Sequence, residues 1–124
     1  MAYRLDIDHD KRFVHVRFEG ITTLQDLEAY LDEVVVQGAM PYRKLVDSRK
    51  AIGQYDDADM MAMGARISAY AALEPRGPIA VVLISDDQLA VTECIHNLGG
   101  AKRPARIFFS ETEARKWLAE QPEA

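Results

Sequence analysis

The chain is short of the residues that would commit it to metal, disulfide or membrane chemistry. Its 124 residues include one cysteine, Cys94. A lone thiol makes no internal disulfide and no multi-cysteine zinc site, which suits a reducing compartment. Positive charge is in deficit, with 15 Lys and Arg against 20 Asp and Glu, a net charge of −5. A nucleic-acid or anionic-membrane surface needs the opposite balance, so neither partner is expected. Long apolar runs are missing. The longest aliphatic run, Ile79 to Ile84, falls well below the roughly 20 residues that span a bilayer. The opening residues are charged and carry no apolar stretch that reads as a secretory signal. The expectation is a cytoplasmic protein that does not span a membrane. A glycine-rich phosphate loop is also missing. Gly99-Gly100 follows a helical pattern and precedes a strand, the wrong context for one. No cofactor is expected.

What is present describes a globular domain. Hydrophobic residues make up 48% and charged residues 28%, a balance that folds rather than stays disordered. The length suits one domain with a sufficient core, placed at residues 1–121, with 122–124 as a loose tail.

Tyr3, Leu5 and Ile7 alternate with charged residues, as do Val14, Val16 and Phe18 after the polar turn Asp8-His9-Asp10-Lys11. That period of two predicts an antiparallel hairpin. Gly20 should close its second strand, and Thr22 or Thr23 should cap a helix whose apolar stripe is Leu24, Leu27, Leu31, Val34 and Val35. Gly38 ends that helix as a left-handed cap, and Pro41 bars its return. Leu45 and Val46 centre a short strand. A loop over 48–57 follows, then a helix from Asp57 with Met60, Met63, Gly64, Ile67, Tyr70 and Ala71 at helical spacing. Ile79 to Ile84 is apolar throughout, which predicts a strand covered on both faces. Ser85 and Asp86 can cap a third helix with Leu89, Ala90, Cys94, Ile95 and Leu98 inward. Arg106 to Phe109 is the last strand, and Ser110 with Glu113 forms a capping box for a helix docked through Ala114, Trp117 and Leu118.

The order is ββαβαβαβα, an α/β fold with a mixed, mostly parallel five-stranded sheet. Because the first two strands alternate, one sheet face is not fully covered, and the helices should lie mainly on the other. Apolar groups on the open face, such as Phe13, could meet a second copy, so a homodimer is expected.

Three segments carry a family resemblance: Leu45-Val46-Asp47 before a loop, the helix from Asp57, and the ending Phe108-Phe109-Ser110-Glu111-Thr112-Glu113-Ala114-Arg115-Lys116-Trp117-Leu118. In order and spacing the chain resembles the STAS domain, the fold of bacterial anti-sigma-factor antagonists. It is more closely similar to the uncharacterised bacterial SpoIIAA-like proteins grouped as STAS/SEC14-type. The resemblance implies a SpoIIAA-like fold and a non-enzymatic regulatory or protein-interaction role. In those antagonists an Asp-Ser pair opens the second helix, and a partner kinase phosphorylates the Ser. The matching pair here is Asp57-Ala58, so the phosphoacceptor is absent. Asp47-Ser48 has the right letters but lies a loop's length too early, where a Ser is more often turn chemistry.

No catalytic or metal residue stands out. Asp47, Asp56, Asp57 and Asp59 could gather at the carboxyl ends of the strands and hold a hard cation. The plainer reading is that Asp57 caps the helix while Asp56 and Asp59 complement its positive end. His9, His15 and His96 show no dyad spacing, and His96 lies about 200° around a helix from Cys94. Lys102, Arg103, Arg106 and Arg115 read as a solvated or salt-bridged face rather than an anion site. Met60 and Met63 fit the core stripe, and Met61 does not. The candidate surface is therefore Asp47, Ser48, Tyr55, Asp57, Met60, Met61 and Met63. Its first reading is contact with a partner protein through the 48–57 loop and second helix. The alternative is a small apolar ligand lodged beside the Met-rich helix and Tyr55, and a small metal-dependent enzyme is the remote one.

Overall fold

The computed structural model describes residues 3–73, 75–98 and 103–122, without the side chains of 73, 91 and 94–98. The expectations for the side chains of Cys94, Ile95, His96 and Leu98, and for Gly99-Gly100 and Lys102, lie outside the described residues. The elements follow the expected order: β1 (Tyr3–Asp8), β2 (Phe13–Thr23), α1 (Leu24–Val36), β3 (Arg43–Gln54), α2 (Asp57–Leu73), β4 (Ile79–Val82), α3 (Asp86–Leu98), β5 (Ala105–Phe108) and α4 (Glu111–Glu120). The sheet runs β1-β2-β3-β4-β5. β1 is antiparallel to β2, and the other pairs are parallel.

Local chemistry accounts for the ends of α1. The Asp26 carboxylate accepts from both the backbone N–H and the hydroxyl of Thr23, at 2.8 and 3.0 Å. At the other end Gly38 takes φ +67°. Its N–H donates to the Val35 carbonyl and that of Ala39 to the Val34 carbonyl, the paired bonds of a Schellman motif.

β2 and β3 depart from expectation. Gly20 does not close β2. It adopts φ +72° just after a register shift between Arg17 and Glu19, and the strand continues to Thr23. β3 continues with it, pairing Lys50 with Glu19, Ala51 with Gly20, Ile52 with Ile21 and Gln54 with Thr23. The 48–57 loop is thus mostly strand, and only Tyr55 and Asp56 link β3 to α2. Each half of this ribbon supplies the hydrogen-bond partners the other lacks, which outweighs the glycines that read as breakers. β4 pairs only as far as Asp47, so the ribbon projects beyond the rest of the sheet.

The two sheet faces carry separate cores. On one, Val14, Val16, Phe18 and Val46 pack with Tyr30, Leu31 and Val34 of α1 and Met63 of α2. On the other, Leu45, Ala80, Val82 and Phe108 pack with Ala114 and Leu118 of α4, with Phe13 and Trp117 at the margin. α1, α2 and α3 share the first face and α4 alone serves the second, which matches the expected bias. β4 is not covered alike on both sides. Ala80 and Val82 are fully buried under α4, whereas Ile79 and Val81 are half-buried. The strand also stops at Val82, leaving Ile84 68% exposed. Its N–H donates to Gln88 Oε1 instead of a neighbouring strand.

Candidate functional site

The half-burial of Ile79 and Val81 marks a hollow. α2 packs closely on α3 and α1, and a chamber of about 780 Å³ lies between these helices and the sheet. Phe18, Val46, Ile79, Val81 and Ile107 form its sheet side. Leu27, Tyr30 and Leu31 of α1 and Met63 and Ile67 of α2 form its helix side. At the carboxyl ends of the strands the ribbon closes it with Thr22, Ala51, Ile52, Gly53 and Tyr55. The Tyr55 ring lies against Gly53, where an added Cβ would stand 2.6 Å from the ring. Burial pushes the Tyr55 phenol up to about 12, with Asp26 adding to the shift. Gln88 ties α3 to the ribbon, its Nε2 donating to the Ser48 and Ala51 carbonyls at 2.8 and 3.1 Å.

The amino ends of the strands are different in character. Lys44, at the start of β3, is 2% exposed and lines the chamber. Its ammonium donates to the carbonyls of Met40 and Tyr42. Those carbonyls belong to a turn locked by Gly77, whose N–H donates to Met40 O and whose missing Cβ leaves room for the Tyr42 carbonyl. Arg76, just before β4, and Arg103, just before β5, line the same end. Burial first, and then the Arg76 cation, pull the Arg103 guanidinium down to about 10. Burial pushes the nearby Tyr30 phenol up to about 12. The chamber therefore runs along the strands from a basic end to a polar one, with apolar walls between.

Comparison with solved structures settles the architecture. The chain superposes on the anti-sigma factor antagonist SpoIIAA in its unphosphorylated form with a TM-score of 0.61 and 16% identity, over 97% of this chain and 100% of that one. The fold is SpoIIAA-like. An uncharacterized protein of the DUF3478 family from Shewanella loihica PV-4, also with a SpoIIAA-like fold, superposes with a TM-score of 0.63 and 15% identity over 94% of each chain. No family model and no curated protein matches the sequence.

Within this SpoIIAA-like fold the residues singled out from sequence divide. Ser48, Tyr55 and Met63 come together at the chamber. Ser48 is no loop residue; it sits within β3 with its carbonyl held by Gln88. Met60 is half-buried and Met61 exposed, and neither lines the chamber. Asp57 is exposed in the first turn of α2 but does not cap it. The cap is Asp56, whose Oδ1 accepts from Asp59 N at 2.7 Å while Asp59 Oδ2 accepts from Asp56 N at 3.2 Å. That reciprocal pair satisfies two backbone donors, which Asp57 cannot do from inside the helix.

Asp47 faces the opposite side of the sheet. Arg49 donates to both its oxygens, at 3.0 and 2.7 Å, and reaches Glu111 at 2.8 Å; Arg115 in turn holds Glu111. The Arg49 hydrogen bonds hold the Asp47 carboxyl below its ordinary range. Glu111 is lowered too, chiefly by Arg115. The four carboxylates thus do not converge, and among the described residues no three His, Cys, Asp or Glu side chains stand close enough to hold a metal ion. Phe13, expected to seek a second copy, packs beside the α4 core with the Arg115 guanidinium 5.7 Å from its ring. The basic group near the last strand also separates. Arg115 is ion-paired on the α4 face, whereas Arg103 and Arg106 both line the chamber, Arg106 with its guanidinium over the Phe108 ring.

Sequence reasoning missed Lys44, Arg76, Tyr30 and Gln88, and set Arg103 aside as surface. Lys44 held one available signal, a lysine in the inward register between Tyr42 and Val46 of a strand. Nothing local joined Arg76 to Arg103, because each precedes a different strand and only the sheet brings them together. No described helix is long and apolar enough to cross a membrane.

Proposed function

We propose that this protein is a non-enzymatic regulatory module of STAS type whose state is set by a small apolar ligand held between α2 and the sheet. The chamber is the observation that carries this reading. A volume of about 780 Å³ walled by Phe18, Met63, Ile67 and Val81 lies within the range of small-molecule sites, roughly 300–1,000 Å³. Close packing is the rule for protein interiors, so a hollow of this size under two helices is a feature to explain. The pair that would accept phosphate in a SpoIIAA-type switch reads Asp57-Ala58 here, which leaves ligand occupancy as the input.

The output surface is the ribbon. Ile21 and Ile52 are register partners, 57% and 63% exposed, and Ile52 also lines the chamber. A ligand that touches Ile52 alters the same residue that a partner protein would cover.

The test uses a neutral, environment-sensitive dye, N-phenyl-1-naphthylamine. The protein is expected to bind it saturably, one dye per chain, with enhanced fluorescence. Filling the chamber by Ile67→Trp should abolish that signal while the melting temperature stays close to the parent's. No saturable binding by the parent, or equal binding by the filled variant, sinks the proposal.

A further inference from the structure

The next step rests on the chamber being a ligand site and concerns what that ligand must carry. Arg103 Nε is buried and has no hydrogen-bond partner among the described residues. A buried donor without an acceptor is costly, and more so on a cation. Its neighbours do not relieve it. Arg76 brings a second positive charge close enough to oppose the first, and Tyr30 brings a neutral phenol. Lys44 adds a third cation to the same end, its ammonium committed to main-chain carbonyls. The carboxylates that line the chamber, Asp87 and Glu93, are exposed residues of α3. The amino ends of the strands thus present a guanidinium set for a planar, two-oxygen acceptor, and apolar walls continue from it toward Tyr55. At about 30 Å³ per water-sized group, 780 Å³ accommodates roughly two dozen such groups, enough for an acidic head and a chain of about a dozen carbons.

We propose that the chamber binds a single-chain anionic amphiphile, with its carboxylate or phosphate head at Arg103, between Arg76 and Tyr30, and its aliphatic tail along Val81 and Ile67. Such a ligand supplies the acceptor that Arg103 lacks and the apolar contact that the sheet lacks.

The experiment compares four probes of equal tail, dodecanoate, monododecyl phosphate, dodecanol and dodecylamine, by calorimetric titration below their micelle concentrations. At least one of the two anions is expected to bind tenfold or more tighter than dodecanol, and dodecylamine weakest of all. Which anion leads tells a carboxylate head from a phosphate one. Arg103→Met should erase the anion preference, to within about threefold, and leave dodecanol affinity unchanged. Arg103→Lys should restore part of it. The unliganded Arg103→Met protein should melt no lower than the parent, since it loses a cation whose buried Nε has no acceptor among the described residues; a purely structural role would lower it. If Arg103→Met does not fold, Arg76→Met carries the test, with a partial loss of preference expected. Anions that bind no tighter than dodecanol overturn this inference, as does a preference that survives in the Arg103 variant. In either case dodecanol and the neutral dye still bind, so the apolar-ligand reading stands. If they too fail to bind, that reading falls with it.

Discussion

The two faces of one sheet solve the same packing problem in opposite ways. On the α4 face, Leu45, Ala80, Val82, Ala114 and Leu118 are at 0% exposure, and a helix of ten residues closes the core. On the other face three longer helices cover the strands, yet Ile79, Val81 and Ile107 remain half-buried. Val14, Val16 and Phe18 of that face are as buried as the α4 core, but cover fails over β4 and β5, because α2 turns its contacts to α1 and α3. Arg66 of α2 bridges Glu28 and Asp32 of α1, and Tyr70 donates to the same Asp32 carboxylate at 2.6 Å. The comparison separates a close-packed side of the sheet from one that leaves a hollow over β4 and β5. Neighbouring residues of β4 record the difference, Val82 belonging to one and Val81 to the other.

That contrast can be broken most directly by deleting core atoms. Leu118→Ala should cost about 3 kcal/mol, as expected where a buried leucine leaves a cavity in a rigid wall. Ile67→Ala, on the hollow face, should cost about 1 kcal/mol, since part of that side chain already borders empty space. Urea unfolding of both variants checks the pair, and equal losses would mean the chamber is filled in solution.

A sharper version adds atoms. Val82→Phe overpacks the α4 face and should cost about 2 kcal/mol. Val81→Phe, one residue away, grows into the chamber and should be neutral within about 0.5 kcal/mol, while it weakens dye binding. Thermal unfolding with dye titration reads both effects, and a Val81→Phe loss as large as that of Val82→Phe would contradict the hollow.

The smallest effect is electrostatic and belongs to the α4 face. Burial, with the Arg17 and Arg115 cations adding to it, lowers the His15 imidazole below its ordinary 6.5, and its Nε2 is buried without a partner among the described residues. Below pH 6.5 the unfolded chain takes a proton that the folded chain refuses, so stability falls as pH drops from there toward the folded value. Asp47 and Glu111 are depressed as well. Their contribution is complete above the ordinary carboxylate range and is lost as pH falls through their folded values. Melting temperature measured from pH 8 to pH 3 should therefore decline in two steps. His15→Gln should remove the upper step and leave the lower, and Asp47→Asn should shrink the lower. A His15→Gln profile that matches the parent's would place the upper step elsewhere.

The elements, their order and the helix ends were legible in the sequence because they rest on local physics. The alternation of β1 and β2, the stripe of α1 and the Gly38 cap each follow from a few adjacent side chains. The α4 face was legible too, through Ala114, Trp117 and Leu118 at helical spacing. The ribbon was not. Gly20 and Gly53 argue locally for turns, and only pairing of Glu19–Thr23 with Lys50–Gln54 across the sheet makes them strand. The cap of α2 was misplaced by one residue, since Asp56 and Asp57 are chemically alike and the Asp56–Asp59 geometry selects between them.

The candidate site divides along the same line. Tyr55, Met63 and Ser48, singled out from the sequence, line the chamber; a Met-rich stripe and a strand end carry a local signal. The basic end was read as surface, because Arg103 stands in a run with Lys102 and Arg106 that looks solvated. Sequence alone determined an acidic α/β chain with a mixed sheet, an apolar α2 stripe and alanine after Asp57. Tertiary structure decided that α2 leans on its neighbouring helices and leaves a chamber beneath it. It also decided that Lys44, Arg76 and Arg103, far apart in the chain, share one end of that chamber. The physical reason is that parallel pairing aligns the amino ends of β3, β4 and β5, so residues that precede separate strands become neighbours whatever their distance in sequence.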